Sequence, residues 1–208
     1  MEQWYLYKKK ADFTKIGEKF QIDPVIARLI RNRDVTGDEE IHKYLYGNLS
    51  DISDPFLMKG VREGVDIIRE KIKSGKTIRI ISDYDVDGVV SNYILWKAIH
   101  DLGGKIDFQI PDRMKDGYGI NENIIEKAAK DQIDTILTCD NGIAAGEAVR
   151  YGKEHGLTMI ITDHHDVPFV MNDDGSKEEI LPPADVVINP KQKECQYPYP
   201  LLCGAGVA

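Results

Sequence analysis

Three short acidic motifs in this sequence each follow an apolar stretch whose pattern predicts a buried strand. The first spans residues 83–88 and reads DYDVDG, the second spans residues 140–142 and reads DNG, and the third spans residues 163–165 and reads DHH. In an open parallel sheet, ligands bind beyond the carboxyl ends of the strands, so residues that directly follow strands can share one site. We therefore expect the three motifs to meet at one edge of a sheet.

The chemistry that these residue types favour is the binding of divalent cations. Asp83, Asp85 and Asp87 lie within five residues, and carboxylates so close repel one another unless a cation compensates their charge. Carboxylates with one or two imidazoles suit Mn²⁺ or Mg²⁺ better than zinc, which favours cysteine and more histidine. The carboxylates suffice for two ions that share a bridging aspartate, the kind of centre that hydrolyses phosphoesters. Hydrolysis is therefore the predicted reaction class.

Other interpretations of the motifs stay open at this point. An aspartate after a strand often caps the following helix, which explains any single motif equally well. A calcium loop of the EF-hand type needs a preceding helix and a glutamate at its twelfth position, whereas here a strand precedes and Ile94 holds that position. A receiver domain also places acidic residues around magnesium, but it does not use a pair such as His164 and His165. The three motifs together favour a metal centre.

Strand and helix patterns alternate from residue 77 onward. The predicted strands TIRIIS, KIDFQI, DTILTC, LTMIIT and ADVVI are separated mainly by helical stretches. Such crossovers predict an α/β fold, a mostly parallel sheet with helices on both faces. The charged stretch 170–183 predicts a mobile surface loop. Residues 24–75 show helical spacing, so we predict a small helical N-terminal segment at residues 1–59 and an α/β domain at residues 60–208.

Composition and charge narrow the class of protein. The chain has 208 residues, of which 42% are hydrophobic and 30% charged, as in globular proteins with a sizeable core. It contains no apolar run of the ~18–20 residues that span a bilayer and no apolar signal segment, so we expect a cytoplasmic protein without membrane contact. Net charge is 27 − 35 = −8, yet residues 1–80 carry 16 − 13 = +3 and residues 81–208 carry 11 − 22 = −11. Part of the acidity is therefore concentrated where metal ions would neutralise it.

The motifs DYDVDG, DNG and DHH, in that order at strand ends, resemble the first three motifs of the DHH phosphoesterases. The downstream segments PDRMKDGYGIN and CGAGVA resemble the branch of that family that degrades single-stranded DNA, and the resemblance covers roughly residues 60–208. It implies a DHH-type domain and a 5′-to-3′ exonuclease that hydrolyses phosphodiester bonds in recombination and repair. A single-strand-binding protein or a helicase is a candidate protein partner.

The resemblance also implies a role for each motif residue. Asp85 and Asp87 would bind metal, with Asp83 beside them as a further ligand, and Asp140 would bridge two Mn²⁺ or Mg²⁺ ions. In the third motif, His164 would be a ligand, His165 would face the scissile phosphate, and Asp163 would orient the histidines from behind. The candidate catalytic residues are therefore Asp85, Asp87, Asp140, His164 and His165. The candidate contacts to DNA are His165, Asn141, Arg113 and Tyr118.

Departures from the family pattern keep other functions open. Ile81 stands where family members often carry a histidine, and the fourth motif, with a further metal-binding aspartate, is expected beyond Ala208, so the domain would be C-terminally incomplete. Weak metal binding and weak activity are therefore expected of this chain alone. One alternative is a DHH phosphodiesterase acting on short oligonucleotides, cyclic dinucleotides or phosphorylated nucleotides. Another is an inactive DHH scaffold in a replication or repair complex.

Overall fold

The computed structural model describes residues 2–5, 9–115, 117 and 119–208, and the chain divides into two compact units at residues 1–53 and 54–208. The domain boundary that the sequence predicts after residue 59 stays a prediction. Within the described ranges, no helix is both long enough and apolar enough to cross a bilayer.

The first unit is helical, as the sequence predicts. Its helices are α1 (Phe13–Phe20), α2 (Pro24–Asn32) and α3 (Asp38–Tyr46), followed by a short 3-10 turn at Leu49–Asp51. The sequence patterns predict α2 and α3 but not α1. Asp12 caps α1 and Asp23 caps α2, each by accepting a backbone N–H from the first turn. Phe20, Ile30 and Ile41 form a buried hydrophobic cluster in this unit.

The second unit alternates strands and helices. It opens with a 3-10 turn at Pro55–Leu57 and then contains, in chain order, α4 (Val61–Lys73), β1 (Thr77–Ser82), α5 (Val86–Asp101), β2 (Lys105–Gln109), α6 (Glu122–Lys130), β3 (Thr135–Cys139), α7 (Gly146–Glu154), β4 (Thr158–Thr162), β5 (Phe169–Met171), β6 (Lys177–Glu179), β7 (Val186–Ile188) and α8 (Gly204–Val207). Five of these strands form one sheet in the order β2-β1-β3-β4-β7, and all its pairs are parallel.

Helices cover both faces of this sheet, which confirms the predicted fold class. On one face, α4 and α5 pack over a core that includes Ile78, Ile80 and Leu137. On the other face, α6 and α7 pack over Ile136, Ile161 and their neighbours. Both faces of the central strands are buried, which explains why their sequences are continuous apolar runs rather than alternating ones.

The strands end in register at one edge of the sheet. Ser82 of β1 pairs with Cys139 of β3, Cys139 pairs with Thr162 of β4, and Thr162 pairs with Ile188 of β7. The residues that directly follow these four positions must therefore lie side by side. They are Asp83, Asp140, Asp163 and Asn189.

The prediction of a surface loop at residues 170–183 was wrong in part. The segment is exposed over most of its length, but β5 pairs with β6 in an antiparallel hairpin, in the register Phe169↔Glu179. Asn172 and Ser176 close the turn through a backbone hydrogen bond, and Gly175 takes a positive φ of 80° within it. Two short antiparallel strands form here because the turn residues in the middle of the charged stretch let it fold back on itself.

Candidate metal centre

Two overlapping groups of potential metal ligands lie at this edge of the sheet. Asp83, Asp85 and Asp140 form one group, and Asp140, His164 and His165 form the other. Within each group, one ligand atom of every residue lies within 4.8 Å of a ligand atom of the others. Asp140 belongs to both groups, which is the position that a carboxylate bridging two ions would occupy.

Asp140 is held in a conformation that brings its carboxylate into crowded surroundings. It is only 3% exposed and takes a left-handed backbone conformation with φ of 59°. His164 Nε2 lies 2.9 Å from its Oδ1 atom. Burial, together with the nearby charges of Asp87 and Asp85, raises the pKa of Asp140 to about 7. Carboxylates so crowded bind a divalent cation readily, because the ion replaces their mutual repulsion with attraction.

Asp83 supplies the clearest sign that the donor set fits a cation. Its side chain is buried, and among the described residues its Oδ1 atom has no hydrogen-bond partner. Buried carboxylate oxygens in folded proteins are normally paired, so an orphaned one beside two further acids matches a metal ligand. Gly88 packs against the same residue, because a Cβ at position 88 would lie 2.4 Å from the carbonyl oxygen of Asp83. Glycine at position 88 therefore lets the first turn of α5 pack against the backbone of Asp83.

The other two acids of the first motif make different contacts. Asp85 caps α5, with its Oδ1 accepting the N–H of Gly88 at 2.9 Å. Asp87 belongs to neither ligand group, although His164 Nε2 lies 3.4 Å from its Oδ2. Its carboxylate accepts two backbone N–H groups from α8. Burial would raise the pKa of Asp87, but the backbone N–H groups of Ala205 and Gly204, together with His164 and the side chain of Cys203, lower it.

Asp163 occupies the position behind the histidines that the resemblance implies. It is fully buried, and its Oδ2 accepts the N–H of Ile143 at 2.9 Å. Its Oδ1 accepts the N–H groups of His164 and His165 and lies 2.7 Å from the ring Nδ1 of His165. Burial would raise the pKa of Asp163, but these hydrogen bonds lower it, and the Asp163 carboxylate in turn raises the pKa of His165. Asp163 therefore fixes the backbone and one ring of the histidine pair.

Asn189 is a site residue that reasoning from the sequence missed. It is fully buried, directly follows β7, and its Nδ2 donates to the carbonyl oxygen of His165 at 3.0 Å. Its Oδ1 accepts the N–H of Lys191. The signal was present, because Asn189 is a polar residue at a strand end like the three aspartates. Applying the same strand-end rule to ADVVI would have found it.

The predicted DNA-contact residues occupy different surroundings. Asn141 is 1% exposed, and its Nδ2 donates to the carbonyl oxygens of Ile81 at 3.1 Å and Cys139 at 2.9 Å, so it ties β1 to β3. The guanidinium of Arg113 lies 5.6 Å from the ring centroid of Tyr84, within the first motif. Tyr118 lies outside the described residues. The contacts of all three with DNA stay predictions.

Two further features frame the centre. Ile81, which stands where a family histidine is expected, is fully buried in the core beneath α6 and α7, so it provides packing at that position and no ligand. A cavity of about 400 Å³ opens beside the third motif, and its wall includes Gly119, Ile120, Asn141 and His165. This cavity therefore lies next to His165, one of the two predicted catalytic histidines.

Comparison with known proteins gives the fold and the centre a context. The model of the DHH family, N-terminal domain, matches residues 77–208. The single-stranded-DNA-specific exonuclease RecJ of Bacillus subtilis (strain 168) is 36% identical over 207 residues, which cover 99% of this chain and 25% of that protein. This chain therefore spans about a quarter of the length of that relative.

Solved structures agree with this result. A crystal structure of exonuclease RecJ bound to manganese is 31% identical, with a TM-score of 0.57 over 72% of this chain and 35% of the other. The structure of RecJ in complex with Mn²⁺ from Thermus thermophilus is 24% identical, with a TM-score of 0.62 over 94% of this chain and 25% of the other, and supports the fold alone. Because the family model matches more than half of the chain, and includes all three acidic motifs, this chain belongs to the DHH family.

Proposed function

We propose that this chain carries the metal centre of a single-strand-specific DNA exonuclease that hydrolyses phosphodiester bonds with Mn²⁺ or Mg²⁺. The observation that carries the proposal is the pair of ligand groups that share Asp140, with the buried Oδ1 of Asp83 lacking a partner among the described residues. Support comes from the Bacillus subtilis relative, which is named for this activity, and from the manganese-bound RecJ structure.

The division of the ligands favours two ions. Asp83 and Asp85 would hold one ion, His164 and His165 lie in the group that would hold the other, and Asp140 would contact both. Asp87 would contribute from beside His164. When bound, such ions supply an activated water and neutralise the oxygen that leaves the phosphorus.

The chain's own residues would orient the substrate around this centre. Asp163 and Asn189 hold His165 by its ring, its backbone N–H and its carbonyl oxygen. The Asp163 carboxylate accepts from Nδ1 of His165 and raises the pKa of the ring, so that the protonated imidazole would donate from Nε2 to an oxygen of the scissile phosphate. Arg113 would pair with a further phosphate, since a guanidinium matches phosphate geometry. Tyr118 would stack on a base.

The test is degradation of end-labelled single-stranded DNA with Mn²⁺, measured beside duplex DNA and a dinucleotide. It uses the 208-residue chain and, in parallel, any longer natural protein that contains it, each beside its own Asp140→Asn variant. Asparagine is the suitable replacement because it tolerates the left-handed conformation of residue 140 and keeps the side-chain shape. Loss of the single strand from its 5′ end, abolished in the variant, is the expected result.

Two other results would redirect the assignment. Cleavage of the dinucleotide without cleavage of the longer strand would assign the chain to a phosphodiesterase of short substrates. Metal binding without cleavage of any of the three substrates would assign it to a scaffold. Comparing 5′-labelled with 3′-labelled strands measures the direction of digestion separately from the choice of substrate.

A further inference from the structure

The first turn of α8 reaches back to the first motif, 117 residues earlier in the chain. The backbone N–H of Gly204 donates to Asp87 Oδ2 at 2.6 Å, and the N–H of Ala205 donates to Asp87 Oδ1 at 2.8 Å. Each carboxylate oxygen thus has its own donor. Two donors on two oxygens fix the rotation of the carboxylate as well as its position.

Gly204 also lies against the shared ligand of the candidate metal centre. A Cβ built on residue 204 would lie 2.8 Å from Asp140 Cβ, 2.9 Å from its Oδ1 and 3.0 Å from its Cγ. Separations under 3.0 Å require one of the groups to move, and Asp140 is buried and cannot move freely. The same residue therefore holds Asp87 through its N–H and makes room for Asp140 through its missing side chain.

The two N–H groups are available because they lie at the start of a helix. The backbone bonds of α8 begin with the N–H groups of Gly206 and Val207, which donate to the carbonyl oxygen of Cys203. The N–H groups before them have no partner within the helix, as at every helix start. Asp87 takes the place of a capping side chain, although it comes from another part of the chain.

We propose that the backbone N–H groups of Gly204 and Ala205 position Asp87 for cation binding, and that residue 204 is glycine because Asp140 approaches it. This inference rests on the proposed function in one respect, namely that the centre binds a divalent cation. Gly204 and Ala205 are positioning residues, since they act through Asp87 and Asp140 rather than on the substrate. Groups that orient metal ligands typically change metal affinity by about 10–100-fold when they are removed.

The first pair of variants tests the N–H of Ala205 and keeps the rest of α8. Ala205→Pro deletes the N–H that bonds Asp87, and proline is tolerated in the first turn of a helix because no bond within the helix is lost there. Ala205→Ser is the matched control, since it alters the side chain but keeps the N–H. Mn²⁺ affinity is measured by titration of the electron paramagnetic resonance signal of free Mn²⁺, and folding by thermal unfolding in EDTA.

We expect Ala205→Pro to bind Mn²⁺ at least about 10-fold more weakly than the parent, with Ala205→Ser within about twofold of it. Equal Mn²⁺ affinity of the proline variant and the parent would overturn the inference. So would equal weakening in the proline and serine variants, because a disturbed helix rather than a lost donor would then be the cause. A parent chain that binds no Mn²⁺ would instead refute the proposed function, and this inference with it.

A second pair of variants tests the inference even if Ala205→Pro does not fold. Gly204→Ala and Gly206→Ala each add one methyl group to α8, and alanine favours a helix over glycine at both places. At position 206 the nearest heavy atom to the new methyl is the flexible Cδ2 of Leu202 at 3.1 Å. The inference expects Mn²⁺ affinity to fall about 10-fold or more in Gly204→Ala only. Equal affinities in the two variants would refute the need for glycine at 204.

Discussion

The two ends of the main sheet carry the same acidic residue type in opposite circumstances. Toward the amino ends of the strands, Arg79 of β1 binds Asp107 through two hydrogen bonds of 2.8 and 2.7 Å and binds Asp131 at 2.8 Å. Asp134, just before β3, lies 2.6 Å from Lys71 and 3.4 Å from Lys76. Each of these carboxylates has a cationic partner from the chain itself.

At the carboxyl ends, the aspartates converge on one another instead. Asp85 and Asp87 add their charges to that of Asp140, and the bases that lie within 4 Å of Asp87, Asp140 or Asp163 are His164 and His165 in the described part of the chain. Fixed lysines or arginines would stabilise the acids but would also compete with an incoming cation. The difference indicates that the amino end serves stability, whereas the carboxyl end keeps charge available for a ligand.

The largest expected effect comes from Asp140→Asn. Mn²⁺-dependent hydrolysis should fall by about 100-fold or more, because the ligand shared by both groups is lost. In EDTA, however, the free energy of unfolding should rise by about 1 kcal/mol, because a neutral amide removes repulsion with Asp85 and Asp87. Urea unfolding in EDTA and in Mn²⁺ measures the free energy of unfolding of the metal-free and the metal-bound protein. The rate of Mn²⁺-dependent hydrolysis is measured separately. If Asp140→Asn were clearly less stable than the parent in EDTA, Asp140 would serve stability like the acids at the amino end, which would contradict the proposed difference between the two ends of the sheet.

The opposite pattern is expected at the amino end, in Arg79→Met. The free energy of unfolding should fall by about 1–3 kcal/mol, because two carboxylates lose a charged hydrogen-bond partner. The loss stays moderate because the side chains of Asp107 and Asp131 are 44% and 41% exposed, so water replaces part of the interaction. Mn²⁺ affinity should stay within about twofold of the parent, because additivity holds for sites that share no partners.

A second variant, Arg79→Lys, separates the effect of the positive charge from the effect of the guanidinium geometry. Lysine keeps the charge but lacks the planar fork that reaches both oxygens of Asp107, so an intermediate stability is expected. If Arg79→Met weakened Mn²⁺ binding as strongly as Asp140→Asn, the two ends of the sheet would be coupled, and their separate roles would be refuted.

A smaller effect is expected from Asn141→Ala, at the carboxyl end. Asn141 stands among the acids in sequence, yet its amide joins β1 to β3 like the paired residues of the amino end. The free energy of unfolding should fall by about 1–2 kcal/mol, because two hydrogen bonds to buried carbonyl groups are lost. Urea unfolding measures this loss. Binding of a fluorescent single strand, measured where the variant is fully folded, would decrease only if Asn141 also contacts DNA.

The sequence predicts much of this architecture because its signals are local. Apolar runs such as those of β1 and β3, together with the turn residues between elements, predict the strands, a mostly parallel sheet and the α/β class. The hairpin of β5 and β6 was missed because its apolar residues are few and lie on either side of a charged turn. Asn189 was missed because a neutral polar residue after a strand draws less attention than an aspartate.

Contacts between distant parts of the chain lay beyond such reasoning. The bonds from Gly204 and Ala205 to Asp87 join positions 117 residues apart, and no spacing rule relates them. The same limit applies to Asn141, whose position in a DNG motif does not say whether its amide faces a substrate or the backbone of β1. In each case the partner is decided by packing around the sheet.

By itself, the sequence determined the kind of chemistry, because clustered carboxylates followed by a histidine pair at strand ends are costly to keep together without a cation. The tertiary structure decided how those carboxylates and histidines are divided into two candidate ligand groups. The register of the parallel strands places Asp140 between the other candidate ligands, and two backbone N–H groups of α8 donate to Asp87. The physical reason is that charge and residue type are properties of the chain, whereas the sharing of one ligand between two groups is a property of distances that only folding fixes.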